Sequence, residues 1–260
     1  MITDEFKLIN NDNSSSLDNT GISSHRTITL YCGQCGEPVM VKLKCSDRTC
    51  PECRRRTYFK LLKGWLELVK PMVNPKLLTL TIKNKSYLDK KDIKFIRKCF
   101  NKFLRKKYYK RRIKGGLYVI EITNKGRGWN IHIHALIEAS SKKEGYLPQQ
   151  KISRDWLELT GDSPIVDIRK AHTPKKGLKY ILKYFFKPPK VNGKEEVYNR
   201  VLKKSRLIQP FGSLYGNKPL KSKLKCEKCG NDSWIIEFEL EKELKDFRLN
   251  KNDYKNINLN

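Results

Sequence analysis

Acidic residues are in short supply in this sequence: 27 Asp and Glu stand against 56 Lys and Arg, a formal net charge of +29 over 260 residues. An imbalance that large argues against an ordinary near-neutral soluble protein and calls for a polyanionic partner. Long apolar runs are also lacking. No stretch approaches the roughly twenty apolar residues needed to cross a bilayer, and no basic amphipathic segment carries a lipid-binding pattern. The expected polyanion is therefore nucleic acid, with no membrane partner. There is no Gly-x-x-x-x-Gly-Lys-Ser/Thr phosphate loop, which excludes helicase activity built on that motif, and no internal repeat. Met1 is followed by acidic and polar residues instead of the apolar core of a signal peptide, so a cytoplasmic protein is expected. Aromatics are sparse in residues 1–27, which are rich in Asn, Ser, Asp and Thr. Such a segment has too little apolar surface to offset its ordering entropy and is predicted to be a disordered tail.

Cysteine, by contrast, is abundant and paired. Cys32-x-x-Cys35 and Cys50-x-x-Cys53 are separated by fourteen residues, with Cys45 between them, and Cys226-x-x-Cys229 lies far downstream. This spacing fits Zn²⁺ ligation in a reducing compartment better than a disulfide framework. Cys32, Cys35, Cys50 and Cys53 are predicted to share one zinc ion. Cys45 leaves a second set open, in which Cys45, Cys50 and Cys53 bind with only one of the first pair. Cys226 and Cys229 form half a zinc ribbon with no second local pair. They complete a site with Cys32 and Cys35, bind a second zinc through a partner, or bind nothing. Arg54, Arg55 and Arg56 follow the second pair directly and are expected to lie against phosphate.

Periodicity predicts a helix over Lys60–Lys70, stopped by Pro71, and a strand over Leu77–Ile82 with Thr79 and Thr81 on its polar face. A long basic helix follows over Asp89–Arg112, with Ile93, Ile96, Phe100, Phe103 and Leu104 as its apolar stripe and Cys99 beside it in the core. The run from Arg105 to Lys114 is read either as a phosphate contact or as a solvated face. After two central strands come a helix over Ile152–Leu159, a strand over Ile165–Ala171, a helix in the connector over Glu196–Lys204 and a strand over Trp234–Leu240. The order β-α-β-β-α-β describes an α+β, ferredoxin-like antiparallel sheet.

The central strands carry the sharpest chemistry. His132 and His134 are two residues apart on an alternating strand, so both imidazoles share the face opposite Ile131, Ile133, Ala135 and Ile137. On the preceding strand Tyr118, Ile120 and Ile122 share one face and Glu121 takes the other. Aligned apolar faces bring Glu121 beside the histidines, and two imidazoles with a carboxylate suit a divalent metal with open positions. Glu138 shares the histidine face but lies about 13 Å along the strand from His134. Downstream, Pro174 opens a helix and Pro188-Pro189 closes it. Tyr180 and Tyr184 are four apart on one face of that helix, with Lys183 between them and Lys187 beyond.

The run LTLT, Glu121, His-Ile-His and Tyr-Ile-Leu-Lys-Tyr, in that order, resembles the HUH endonucleases, and in particular rolling-circle replication initiators of plasmids and phages. CSDRTCPEC resembles the zinc segment that precedes the nuclease domain in plasmid initiators and in some insertion-sequence transposases; DSPIVDIR and RLIQPFGS also resemble initiators. The likeness spans about residues 30–215. It implies a zinc-binding segment and helix over 28–70, a nuclease domain over 71–190, and a basic connector, half-ribbon and flexible tail over 191–260. It also implies that His132, His134 and Glu121 hold Mg²⁺ or Mn²⁺ against a scissile phosphate of single-stranded origin DNA. Tyr180, Tyr184 and Lys183 become the catalytic set, as in initiators with two tyrosines; Lys176 stands where single-tyrosine relatives place a carboxylate. The partners implied are a host helicase and polymerase. Two other readings stay open: a transposase of the same chemistry, and a non-catalytic zinc-containing nucleic-acid-binding protein.

Overall fold

The computed structural model describes residues 25–140, 145–186, 189–221 and 223–236. Strands β1 (Thr27–Cys32) and β2 (Pro38–Lys42) lead into helix α1 (Pro51–Val69) and strand β3 (Pro75–Lys85). Helices α2 (Lys90–Arg105) and α3 (Lys107–Arg112) connect to the central strands β4 (Ile113–Asn124) and β5 (Trp129–Ala139). Then come α4 (Gln149–Thr160), β6 (Val166–Lys170), α5 (Pro174–Phe186), α6 (Glu195–Leu202), β7 (Ile208–Gly212) and β8 (Trp234–Ile236).

The main sheet is antiparallel in the order β6-β3-β5-β4-β7. Its first four strands carry the expected β-α-β-β-α-β chain order, a split βαβ arrangement. The alternation read from sequence sorts the side chains onto two faces. On one, Leu80, Ile120, Ile133 and their strand neighbours pack against Ile93, Ile96, Phe100 and Phe103 of α2 and Trp156 of α4. On the other, Leu117, Val119 and Leu136 meet Trp65 and Val69 of α1 and Leu178, Ile181 and Leu182 of α5. The sheet is thus covered on both sides, and α1 with α5 covers the face that bears the histidines.

Four expectations change. The predicted helix over 89–112 is two helices, broken at Lys106, whose φ of −55° and ψ of 132° leave the helical region. The break turns Tyr109 back so that its ring stacks on Phe103 at 3.8 Å and its hydroxyl donates to Asp155 at 2.6 Å. Helix α1 starts nine residues earlier than expected, at Pro51 instead of Lys60, because Cys50 caps it and proline is pre-set for a first helical turn,. The sheet extends past residue 190: Ile208–Gly212, assigned to the connector, pairs with β4 as a fifth strand. At the start, residues 25–27 are ordered, with Thr27 opening β1. The rest of the expected tail, with Lys187, Pro188 and residues 237–260, lies outside the described residues. Among the described residues no helix is long and apolar enough to cross a membrane.

Candidate functional site

Strand register brings the central residues into rows. Glu121 pairs with His132, which pairs with Thr81; Val119, His134, Thr79 and Asp167 form the next row. Thr81 Oγ1 is hydrogen-bonded to His132 Nδ1 at 2.9 Å, and Thr79 Oγ1 to His134 Nδ1 at 3.1 Å. Both Nδ1 atoms are therefore occupied, and each Nε2 is left for the site. His134 Nε2 lies 2.9 Å from Glu121 Oε2. Thr81 is fixed in turn, since its carbonyl accepts from Trp156 Nε1 at 2.8 Å. Burial holds the His132 imidazole below its ordinary range, against the Glu121 carboxylate, which favours the charged ring,. Glu138 is elsewhere: it pairs with Gly115 and meets Lys114 Nζ at 3.4 Å.

Helix α5 lays its tyrosines over this row. Gly177 makes the close approach feasible, because a Cβ there would lie 2.6 Å from Leu136 Cδ1. Tyr184 stacks on the His134 ring with centroids 4.1 Å apart and planes 16° apart. Tyr180 meets the same ring edge-on at 6.5 Å. Lys183 Nζ sits 3.7 Å from the Tyr180 centroid and 5.0 Å from that of Tyr184. Burial, then the Glu121 charge, pushes the Tyr184 phenol above its ordinary range. Lys176, one turn before Tyr180, is exposed. A cavity of about 350 Å³ opens over Glu121 and His132, walled by Arg54, Lys125, Lys183 and Tyr184.

Two further residues join this site, in positions that the sequence did not indicate. Arg54 is buried; its guanidinium donates to the Tyr184 carbonyl and, at 3.0 Å, to the Arg48 carbonyl. It therefore fastens α1 to the tyrosine helix from within, and is not free on the surface to meet phosphate as expected. Arg169 on β6 shares the sheet face of His134, is held by Asp167 at 2.6 Å, and interacts electrostatically with Tyr180 and Tyr184. Its signal was the alternation of Asp167 and Arg169 in a strand that pairs with the threonine strand.

The cysteines regroup. One cluster is Cys32, Cys35, Cys226 and Cys229; the other is His25, Cys45, Cys50 and Cys53. The expected single site of Cys32, Cys35, Cys50 and Cys53 does not form, and neither does a trio of Cys45, Cys50 and Cys53 completed by the first pair. The reason is local. Cys32–Gly36 and Cys226–Gly230 are both Cys-x-x-Cys-Gly knuckles, in which the glycine N–H donates back to the first cysteine's carbonyl at 2.9 and 2.8 Å. Those glycines sit at φ of +71° and +75°, where other residues are strained,. Pro51 instead commits Cys50 and Cys53 to a helix end. The matching glycines were the legible signal for pairing the two knuckles, which β1 and β8 then hold side by side.

Both clusters have the dimensions of a tetrahedral site. Sulfurs about 2.3 Å from zinc stand roughly 3.8 Å apart, and the pairs Cys32–Cys229, Cys35–Cys226 and Cys45–Cys53 stand at 3.5, 3.6 and 3.4 Å. His25 Nε2 is 3.1 Å from Cys53 Sγ, while its Nδ1 faces Glu52 at 3.2 Å, the outer carboxylate that orients a ligating imidazole,. These clusters can hold zinc. Burial, reinforced by the Cys45 and Cys50 sulfurs, pushes the Cys53 thiol up to about 12, so metal would have to displace its proton.

A family model described as a replication protein, Rep_1, matches residues 39–249, a span that begins after Cys35 and contains both histidines and both tyrosines. No curated protein and no solved structure matches the chain.

Proposed function

The chain belongs to the Rep_1 family of replication proteins, and from that premise we propose that it initiates replication by nicking and rejoining single-stranded DNA through a tyrosine. The observation that carries this reading is the stack of Tyr184 on His134, with Glu121 at Nε2 of the same imidazole. A structural histidine pair has no need of two phenols, a carboxylate and a lysine gathered around it.

Glu121, His132 and His134 fit a divalent cation. The threonines keep both Nδ1 atoms engaged, so each ring offers Nε2 towards the carboxylate side,. Bound there, Mg²⁺ or Mn²⁺ would polarise the phosphoryl oxygens and stabilise the charge that develops on them.

The chain's own residues supply the rest. Tyr180 attacks phosphorus as its phenol loses a proton; the new O–P bond forms as the bond to the 3′ oxygen breaks, and that oxygen leaves to be protonated as a free 3′-OH. The product is a 5′-phosphotyrosine. Lys183 above the Tyr180 ring lowers the cost of phenolate character,. Arg169 stands where it can pair with a phosphate oxygen or with the phenolate,. Tyr184 serves the return transfer. The 3′-OH would prime a host polymerase, and unwinding falls to a host helicase.

The test is incubation with origin-derived single-stranded oligonucleotides and Mn²⁺, followed by a denaturing gel. A covalent protein–DNA band that requires the metal is expected. Its absence with every origin strand would leave the non-catalytic reading in its place.

A further inference from the structure

Helix α1 carries a second charged feature that the nicking site does not use. Arg56 and Lys60 are four apart and share a helical face. At 3.6 residues per turn that face points away from Tyr58, Leu62 and Trp65, whose cluster includes Leu178 and Ile181 of α5. Two other segments bring lysines to the same side. Lys44 Nζ donates to Thr57 Oγ1 at 3.2 Å, which pins the loop after β2 against α1. The connector crosses the helix at Gly64: the Leu220 N–H donates to the Gly64 carbonyl at 2.8 Å, and a Cβ on Gly64 would lie 2.7 Å from Pro219. That crossing brings in Lys221, and Lys60 interacts electrostatically with Lys221, Lys44 and Arg56.

Four cations from three segments converge without a counter-charge of their own. Among the described residues none of the four forms an ion pair with a carboxylate; the nearby acids Glu52 and Glu67 take His25, Lys42 and Lys70 instead. Arg56 Nη1 is buried and has no hydrogen-bond partner among the described residues. Lys60 is held below the ordinary lysine range, by burial first and then by its cationic neighbours Lys221, Lys44 and Arg56. A fold gathers like charges in this way at a cost that a bound polyanion offsets.

We propose that Lys44, Arg56, Lys60 and Lys221 form a phosphate-binding site for the DNA backbone, on the side of α1 remote from the tyrosines. It rests on the nucleic-acid reading above and adds an anchor that holds DNA separately from cleavage. The thickness of α1, about 10–12 Å with its side chains, lies between this anchor and Arg54 beneath the nicking site, so the bound phosphate belongs to DNA outside the scissile linkage.

The experiment measures binding of a fluorescein-labelled single-stranded oligonucleotide, and of a hairpin containing the same strand, by anisotropy across a salt series. Each lost phosphate contact flattens the slope of log affinity against log salt by about 0.7–0.9. The triple variant K44Q/K60Q/K221Q should therefore flatten it by about 2 on at least one probe. A control triple on the exposed face of α2, K90Q/K91Q/K94Q, should not. Arg56→Lys keeps the charge but loses the planar fork, and should weaken binding several-fold at constant salt. An unchanged slope in the first triple, or an equal loss in the control, would overturn the site. The nicking reading is scored separately: metal-dependent adduct formation by the K44Q/K60Q/K221Q variant at saturating DNA is expected to match the parent. Adduct with an unchanged slope sinks the anchor alone, whereas a flattened slope with no adduct from either protein sinks nicking alone.

Discussion

Arg54 donates from its buried guanidinium to the main-chain carbonyl of Tyr184, 130 residues away in sequence. It directly follows Cys53, so the residue after a candidate zinc ligand grips the helix that carries both phenols. The His25 cluster and the proposed nicking site are mechanically joined through the first turn of α1.

Arg54→Ala should accordingly destabilise the fold by about 1.5–3 kcal/mol, the range for a hydrogen bond to a charged donor, because it leaves a carbonyl unpaired beneath α5. Urea unfolding would measure this. Adduct formation should fall as well, while the metal content stays intact. A variant as stable as the parent would show that α5 is held by packing alone.

The purified, reduced protein should carry two equivalents of zinc, one for each cluster. Cys226→Ser or Cys229→Ser should lose one and free β8 from β1; His25→Ala or Cys45→Ser should lose the other and loosen the N-terminal end of α1. Elemental analysis of the four variants decides it. A single equivalent in the parent would mean that one cluster is only a group of reduced thiols.

Which cysteines partner which was the least legible part of the sequence, and the reason is distance along the chain. Cys32 and Cys229 are separated by 197 positions, so local spacing favoured the nearer pair Cys50 and Cys53. His25 was hidden by its setting in a polar segment. By contrast, Glu121, His132 and His134 needed only strand alternation and one antiparallel register, both local properties. The fifth strand was missed because Ile208–Gly212 contains Pro210 and ends in a glycine, which reads as loop until β4 supplies a partner. Arg54 could not be distinguished from Arg55 and Arg56, because only the packed structure buries one of the three.

Thr81→Val should test the histidine geometry without removing a ligand. It deletes the hydroxyl that engages His132 Nδ1 at 2.9 Å and changes little in shape. Loss of such an outer-shell partner costs about 10–100-fold in metal affinity, so the Mn²⁺ concentration needed for half-maximal adduct should rise by that factor. His132→Ala and His134→Ala should abolish nicking yet leave DNA binding nearly unchanged, because phosphate contacts dominate affinity. An unchanged Mn²⁺ requirement in Thr81→Val would separate the threonine from the metal.

Acid stability should depend on Asp155. Although burial favours its neutral form, hydrogen bonds from Tyr109 and Lys106 outweigh that and hold its carboxyl below the ordinary carboxylate range. The sign follows from linkage: a depressed folded value contributes stability that is present above the unfolded value of about 3.9 and is lost as pH falls through the folded one. Asp155→Asn should lower stability at neutral pH and flatten the acid limb of the stability curve. Tyr109→Phe should do so in part. An unaltered acid limb in Asp155→Asn would assign the transition to other carboxylates.

The two phenols make the sharpest prediction, because one phosphate accepts only one attack at a time. Tyr180 has Lys183 closest over its ring and meets His134 edge-on, with no flat stack on the imidazole. Tyr184 is stacked flat on the His134 imidazole. To attack, it would have to leave that stack, whereas Tyr180 is not held there. Tyr180→Phe should therefore lose the first covalent adduct, and since only a hydroxyl is removed the packing of α5 is preserved. Tyr184→Phe should keep that adduct and impair rejoining or a second transfer. Arg169→Gln should slow the first step without changing which residue is modified, because it acts on charge beside both phenols. Mass spectrometry of the DNA-linked peptide assigns the attachment: linkage at Tyr184, with Tyr180→Phe still active, would reverse the order and make the stacked phenol the one that leaves its seat to attack.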